Sequence, residues 1–195
     1  INDQDTVKDG LYTFYHENGN IYQQGLYIND KLEGVWIINF ADGKLKTELS
    51  YLKNQRDGIY RSYYETGEIH IEGNYSNGLR KDCFTEYYPT GVIKNQYFYQ
   101  NDLLNGISTS YYENGINSYK IEFKNGIING SYKRYYETGE LNYKGKKLGE
   151  RFVDTMYTYY KSGKLERISI YKNGMLNGNF ISYYPNGIKM NECRF

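Results

Sequence analysis

The chain has 195 residues, a formal net charge of +1 and a mean hydropathy of -0.81. A charge this near zero removes the long-range attraction that nucleic-acid binding relies on. No apolar run approaches the roughly 18 residues that span a bilayer as a helix. With 26 tyrosines, 8 phenylalanines and 21 glycines against 2 prolines and 1 tryptophan, the composition leans towards half-buried β surface. Few aliphatic side chains remain, so the expectation is a thin structure held by stacked rings.

The first predicted element is a hairpin. A strand around Leu11–Tyr15 runs into the phrase YHENG, and a second strand starts at Ile21. The same unit then recurs down the chain. Its phrases are NFADG, YYETG, YYPTG, YYENG, YYETG, YYKSG and YYPNG, which end at Gly43, Gly67, Gly91, Gly115, Gly139, Gly163 and Gly187. With Gly19 the spacing is 24 residues throughout. A second series stands at Gly10, Gly34, Gly58, Gly106, Gly130 and Gly178, with Asp82 and Asp154 in the two remaining phases. A third comprises Tyr27, Tyr51, Tyr75, Tyr99, Phe123, Tyr171 and Phe195, broken only by Lys147. Repetition at one fixed period defines a repeat architecture.

Each unit reads as strand, tight turn, strand, short connection. Pro89 and Pro185 stand two residues before their glycines, as the second residue of a type I turn would. A primed Asn-Gly turn would force Thr66, Thr90 and Thr138 to positive φ, so the three-residue loop closed by a left-handed glycine is expected. The residue three before each glycine then faces the residue one after it. Strict alternation from that register puts Tyr15, Tyr63, Tyr87, Tyr111, Tyr135, Tyr159 and Tyr183 on a core face. Leu11, Val35, Ile59, Ile107 and the Tyr27 row join them. Tyr12, Trp36, Tyr60, Phe84, Tyr132 and the row of Tyr64, Tyr88, Tyr112 and Tyr136 fall on the other face. Connections such as IND-KLEG and KNG-IING force consecutive hairpins to be neighbours. The predicted fold is all-β: an elongated array of about eight antiparallel β-hairpins in one twisted ribbon-like sheet, a single domain over 1–195.

These phrases resemble the MORN-repeat variant of bacterial proteins, G-x-[YWF]-x-x-Y-Y-[EP]-[NT]-G-x-[IL] followed by Y-x-N-G-x-x-N-G. Gly58 to Ile69 and Gly130 to Leu141 carry it most clearly. The resemblance implies a hairpin array without catalytic residues, of a kind used for membrane, lipid and protein attachment. It also implies likeness to the antitoxin component of toxin–antitoxin pairs, and to exported surface proteins of low-GC bacteria.

Little in the residues points to chemistry. His16 and His70 occupy non-equivalent repeat positions, no metal-ligand spacing occurs, and Glu65 and Glu68 belong to a turn that recurs. The expectation is no enzyme, no cofactor and no metal. Cys83 and Cys193 read as unpaired thiols. Lys133, Arg134, Lys144, Lys146, Lys147 and Arg151 make one stretch basic, and the repeat falters there. Acids are interleaved elsewhere, so nucleic acid is disfavoured as a ligand. Near-neutral charge argues against a lipid headgroup as well.

The expected partner is a protein, a toxin or a surface ligand. It would be bound through Tyr60, Tyr64, Tyr88, Tyr112, Tyr132 and Tyr136, with Lys146, Lys147 and Arg151 as a charged loop. Two functions are compatible with this. One is an antitoxin- or immunity-like module, or a scaffold, in the cytoplasm. The other is an adhesin or envelope attachment module at the cell surface, binding host protein or glycan, should a leader precede Ile1.

Overall fold

The computed structural model describes residues 7–195. Among them the chain is all-β, with seventeen strands, no helix and only antiparallel pairings. It falls into two compact units, divided in the chain between Gly91 and Val92.

The first unit is a meander of β1 (Gly10–Tyr15), β2 (Ile21–Ile28), β3 (Lys31–Asn39), β4 (Leu45–Leu52), β5 (Gln55–Tyr63), β6 (Ile69–Ser76) and β7 (Leu79–Tyr87). The second comprises β8 (Ile93–Gln100), β9 (Leu103–Leu104), β10 (Gly106–Tyr111), β11 (Asn117–Lys124) and β12 (Ile127–Tyr135). It continues through β13 (Leu141–Leu148), β14 (Arg151–Tyr159), β15 (Leu165–Lys172), β16 (Met175–Tyr183) and β17 (Lys189–Arg194). Consecutive strands pair within each unit, save that β10 also pairs β8 past the two-residue β9.

Two turn types alternate. Within a repeat, His16 N donates to Asn20 O at 2.8 Å and Gly19 N donates to His16 O at 2.9 Å, with Gly19 at φ 86°. This is the expected type I turn closed by a left-handed glycine. It recurs from Phe40 to Lys44, Tyr64 to Glu68, Tyr112 to Ile116 and Tyr136 to Glu140. Asn18, Asp42 and Asn114 reinforce it by accepting a bond from the backbone N–H two residues on. Between repeats the loop has two residues, both at positive φ in Asn29-Asp30, Lys53-Asn54 and Asn125-Gly126. Two adjacent left-handed residues make the primed turn that matches strand twist.

The second glycine series also has a backbone cause. Where β3 leaves the connecting turn, the pairing with β2 shifts between Gln24 and Leu26, and Gly34 stands at φ 67°. Asp82 (φ 60°) and Asp154 (φ 65°) hold the same left-handed conformation without glycine. Asp tolerates that region because its carboxylate bonds locally. At Asp154 the Oδ1 accepts Thr155 N at 2.8 Å.

The expected assignment of faces is overturned. In the hairpins β1–β2, β3–β4, β5–β6, β10–β11, β12–β13, β14–β15 and β16–β17 the pairing slips by one residue just after the turn: Tyr15 faces Ile21, but Phe14 faces Gln23. The same slip follows Tyr63, Tyr111, Tyr135 and Tyr159. An extra residue on the second strand reverses which side its later residues point to. Tyr27 therefore pairs with Gly10 and joins the Tyr12 and Trp36 side, not the Leu11 side. Trp36 is 2% exposed, and Leu49 and Phe84 are also buried. By contrast Leu11, Val35, Ile59 and Ile107 are 66%, 58%, 47% and 53% exposed. The core is thus the ring face, and the aliphatic row is the open face.

The ring face packs edge to face. Tyr27 lies 5.1 Å from both Tyr12 and Trp36, at interplanar angles of 75° and 86°. Tyr75 meets Phe84 at 5.5 Å and 90°. In the second unit Tyr132 stacks on Tyr143 at 5.7 Å and meets Phe152 edge-on at 6.1 Å. These are the distances and tilts that the ring quadrupole favours.

Candidate functional site

Each residue expected to contact a partner has a definite place. Tyr60 and Tyr132 are half-buried in the ring face, against Tyr75 and Phe84 and against Tyr143 and Phe152 respectively. Tyr64, Tyr112 and Tyr136 begin the turns, and each hydroxyl donates to a backbone carbonyl 23 residues on. The acceptors are Tyr87 O at 2.7 Å, Tyr135 O at 2.8 Å and Tyr159 O at 2.9 Å. Tyr160 does the same to Tyr183 O at 2.7 Å. His16, the first repeat's counterpart, sets Nε2 3.1 Å from Asn39 O. Tyr88, half-buried, opens the Pro89 turn and accepts from Gly91 N at 2.9 Å. Tyr64, Tyr112, Tyr136 and Tyr160 thus tie one repeat to the next.

Lys146, Lys147 and Arg151 do not converge on a loop. β13 runs to Leu148 and β14 starts at Arg151, so only Gly149 and Glu150 turn the chain. Successive strand residues point to opposite faces. Lys147 goes to the ring face, with only 12% of its side chain exposed. Its ammonium lies 4.3 Å from the Tyr132 ring centre and 4.8 Å from that of Phe152. A cation over two rings replaces the tyrosine that the repeat puts at this phase. Lys146 goes to the open face, 3.5 Å from Asp154. The Asp154 carboxyl is held below the usual range by the Thr155 N–H and by Lys146. Arg151 is exposed, its aliphatic stem beneath Gly174.

Both histidines rest against tyrosines: His16 is 5.0 Å from Tyr22, and His70 is 4.5 Å from Tyr64. His70 Nε2 also lies 3.8 Å from Glu86. Cys83 is half-buried and Cys193 exposed, both as free thiols. Among the described residues no three His, Cys, Asp or Glu side chains gather as metal ligands would.

The open face has an order that sequence reading missed. In the first unit Glu48 pairs with Arg61, and Arg61 with Glu72, across β4, β5 and β6. Arg61 Nε is 3.5 Å from Glu72 and Nη1 is 4.0 Å from Glu48. Tyr63 and Tyr87 donate to the same carboxylates at 2.8 and 2.6 Å. Burial first, then the Glu72 bond, pushes the Tyr87 phenol up to about 12, and the Tyr63 phenol rises for the same reasons. The neutral phenol is thus favoured in the fold. Its contribution is whole below about pH 10, the unfolded value, and is lost as pH rises through about 12. The denaturation midpoint is expected to fall between about pH 10 and 12, and Tyr87→Phe to reduce that fall. Equal slopes for the two proteins would show that this bond does not matter.

A meander of equal hairpins, with a bulge and a left-handed residue in each, is a β-hairpin repeat protein. The sequence pattern of the MORN repeat variant matches residues 8–29, 32–53, 56–77, 83–101, 104–125, 128–146, 155–173 and 176–195. The chain belongs to the MORN repeat variant family. No curated protein sequence matches it.

Proposed function

We propose that the chain is a non-catalytic module that binds a protein partner along an extended sheet face, as an antitoxin- or immunity-like protein or as a scaffold. The observation that carries this reading is the aliphatic ladder of the open face. In the first unit Leu11, Val35 and Ile59 repeat one phase in three successive hairpins and stand about half exposed or more. Hairpin-to-hairpin spacing of two strands sets them roughly 10 Å apart. Regularly spaced apolar side chains on a rigid sheet suit docking of another chain. The half-buried rings of Tyr60, Tyr64, Tyr88, Tyr112, Tyr132 and Tyr136 are the second proposed surface. They already spend much of their area on one another, which favours the aliphatic face. Lys146 and Arg151 would supply peripheral charge.

The test is co-purification with the product of an adjacent gene that is toxic when expressed alone. Val35→Glu with Ile59→Glu is expected to abolish co-elution and rescue from toxicity, at an unchanged thermal midpoint. Loss through Tyr64→Phe with Tyr112→Phe instead, at a temperature where circular dichroism shows that variant still fully folded, would move the contact to the ring face. Absence of any such neighbour, with binding to host protein or glycan, would replace the reading by a surface adhesin.

A further inference from the structure

One cross-strand rung of the open face changes its chemistry between the two units. In the first unit it reads Glu48, Arg61, Glu72, an alternation of charges. In the second unit the equivalent positions, 72 residues on in each case, are Lys120, Lys133 and Lys144. The pairing makes them direct neighbours: Lys120 faces Lys133 across β11 and β12, and Lys133 faces Lys144 across β12 and β13. Directly opposed residues point to the same side, with strands about 4.8 Å apart. Like charges in that position are destabilising.

Lys120 and Lys133 are half-buried, and none of the three lysines has a carboxylate within 4.0 Å. Lys144 directs its ammonium to the rings of Tyr157 and Tyr159, at 5.1 and 5.8 Å. Lys146, beside Lys144 on the same face, adds a fourth cation. Two acids border the row: Glu122 Oε2 accepts from Ser131 N at 2.9 Å, and Asp154 accepts from Thr155 N at 2.8 Å and lies 3.5 Å from Lys146, so the four cations outnumber the acids by two. Ser131, Lys133, Lys144, Lys146, Thr155 and Tyr157 line a shallow cavity of about 330 Å³, with Asp154 at its Lys146 side. Lys120 and Glu122 join Ser131 and Lys133 in a smaller hollow beside it.

We propose that this cavity and the hollow beside it together bind a compact multivalent phosphate anion, held by Lys120, Lys133, Lys144 and Lys146. Lysines act here as point charges, which suits the dispersed charge of linked phosphates, and the Ser131 and Thr155 hydroxyls can donate to the same oxygens. The chain as a whole carries only +1, so the attraction comes from this local concentration of charge. The rule-breaking rung has a counterpart three repeats away that obeys the rule, so the repeat pattern does not impose it. The proposal stands independently of the aliphatic ladder.

Inorganic tripolyphosphate, titrated calorimetrically into the full chain at low salt, is the probe. One saturable site is expected, weakening steeply with salt. Lys133→Glu restores the alternation and is expected to weaken binding by at least about tenfold while keeping or raising the thermal midpoint. Lys164→Glu, at an exposed turn of the same unit, carries the same change of charge and is expected to leave affinity unaltered. Vesicles displaying a polyphosphorylated headgroup form the second arm. Lys133-dependent binding to them alone assigns the phosphate to a lipid surface, and binding to tripolyphosphate in solution assigns it to a free anion. Hexaglutamate bound in preference to either would overturn the proposal in favour of an acidic protein segment. No saturable binding, or equal loss in Lys164→Glu, would also overturn it.

Discussion

Gly25→Ala is expected to destabilise the first unit by about 2 kcal/mol, through a methyl group with nowhere to go. Gly25 lies at the break in the β2–β3 pairing between Gln24 and Leu26, and a Cβ there would fall inside the indole ring of Trp36. The ring has little room to retreat. Tyr27 stands edge-on to it at 5.1 Å, Tyr51 at 6.4 Å, and its Nε1 donates to Leu26 O at 3.2 Å. The same opposition of small and large recurs as Gly73 with Phe84, Gly145 with Met156 and Ser169 with Phe180. The order is reversed in the sequence of the second unit, where the same two phases hold Tyr97 and a buried Ser108, each one residue beyond the paired Gln96 and Thr109. The pair is therefore expected to behave as one volume. Gly25→Tyr combined with Trp36→Ser copies the reversed arrangement. It should be more stable than the sum of the single changes predicts, by about 1 kcal/mol or more. Urea denaturation of the four proteins measures that coupling, and simple additivity would refute the shared-volume account.

That pair also marks the limit of what the sequence reveals. The 24-residue period, the hairpins and the three-residue loops are legible because each rests on a local backbone demand. A left-handed turn residue selects glycine, and proline selects the position before the turn centre. The bulge after the turn is not legible, since positions 22, 46, 70, 118, 142 and 166 hold Tyr, Lys, His, Ser, Asn and Glu, with no shared chemistry. Without it, strict alternation carries the Tyr27 row to the wrong face and inverts core and surface. The signal that could have corrected this was Gly25, Gly73 and Gly145, whose phase is small where the facing residue is Trp, Phe or Met. The lysine rung was hidden for a related reason. Proximity in sequence groups Lys146 with Lys147 and Lys133 with Arg134, residues that strand alternation sends to opposite faces. Lys120, Lys133 and Lys144 are distant in sequence, and only the bulged register makes them neighbours. The tyrosines at 64, 112 and 136 were legible as a row but not as ties, because their acceptors are backbone carbonyls of the next repeat.

Tyr112→Phe, Tyr136→Phe and Tyr160→Phe together are expected to lower the stability of the second unit by about 3 kcal/mol, roughly 1 kcal/mol for each lost bond. Each hydroxyl donates at 2.7 to 2.9 Å to a carbonyl of the following hairpin, and each is half-buried. Removing the oxygen leaves the ring, so packing is preserved and only the bond is deleted. In a linear repeat array most contacts lie between neighbours, and stability is a sum of repeat and interface contributions. The three changes act at successive interfaces and share no acceptor, so their effects should add to within about 0.5 kcal/mol. A loss of 3 kcal/mol is a large part of the roughly 5–15 kcal/mol that a domain has available. The single and triple variants would be compared by chemical denaturation, with amide exchange at Tyr135, Tyr159 and Tyr183 locating the loosened interfaces. A triple variant within about 0.5 kcal/mol of the parent would mean that water replaces the hydroxyls at no cost. The tyrosine at this phase would then be kept for its ring alone. Phe40 holds the phase in the second repeat without a hydroxyl, its ring covered by Lys46 at 5.4 Å. The reverse change, Phe40→Tyr, should accordingly stabilise the first unit by up to about 1 kcal/mol if the bond, rather than the ring, is what ties the repeats.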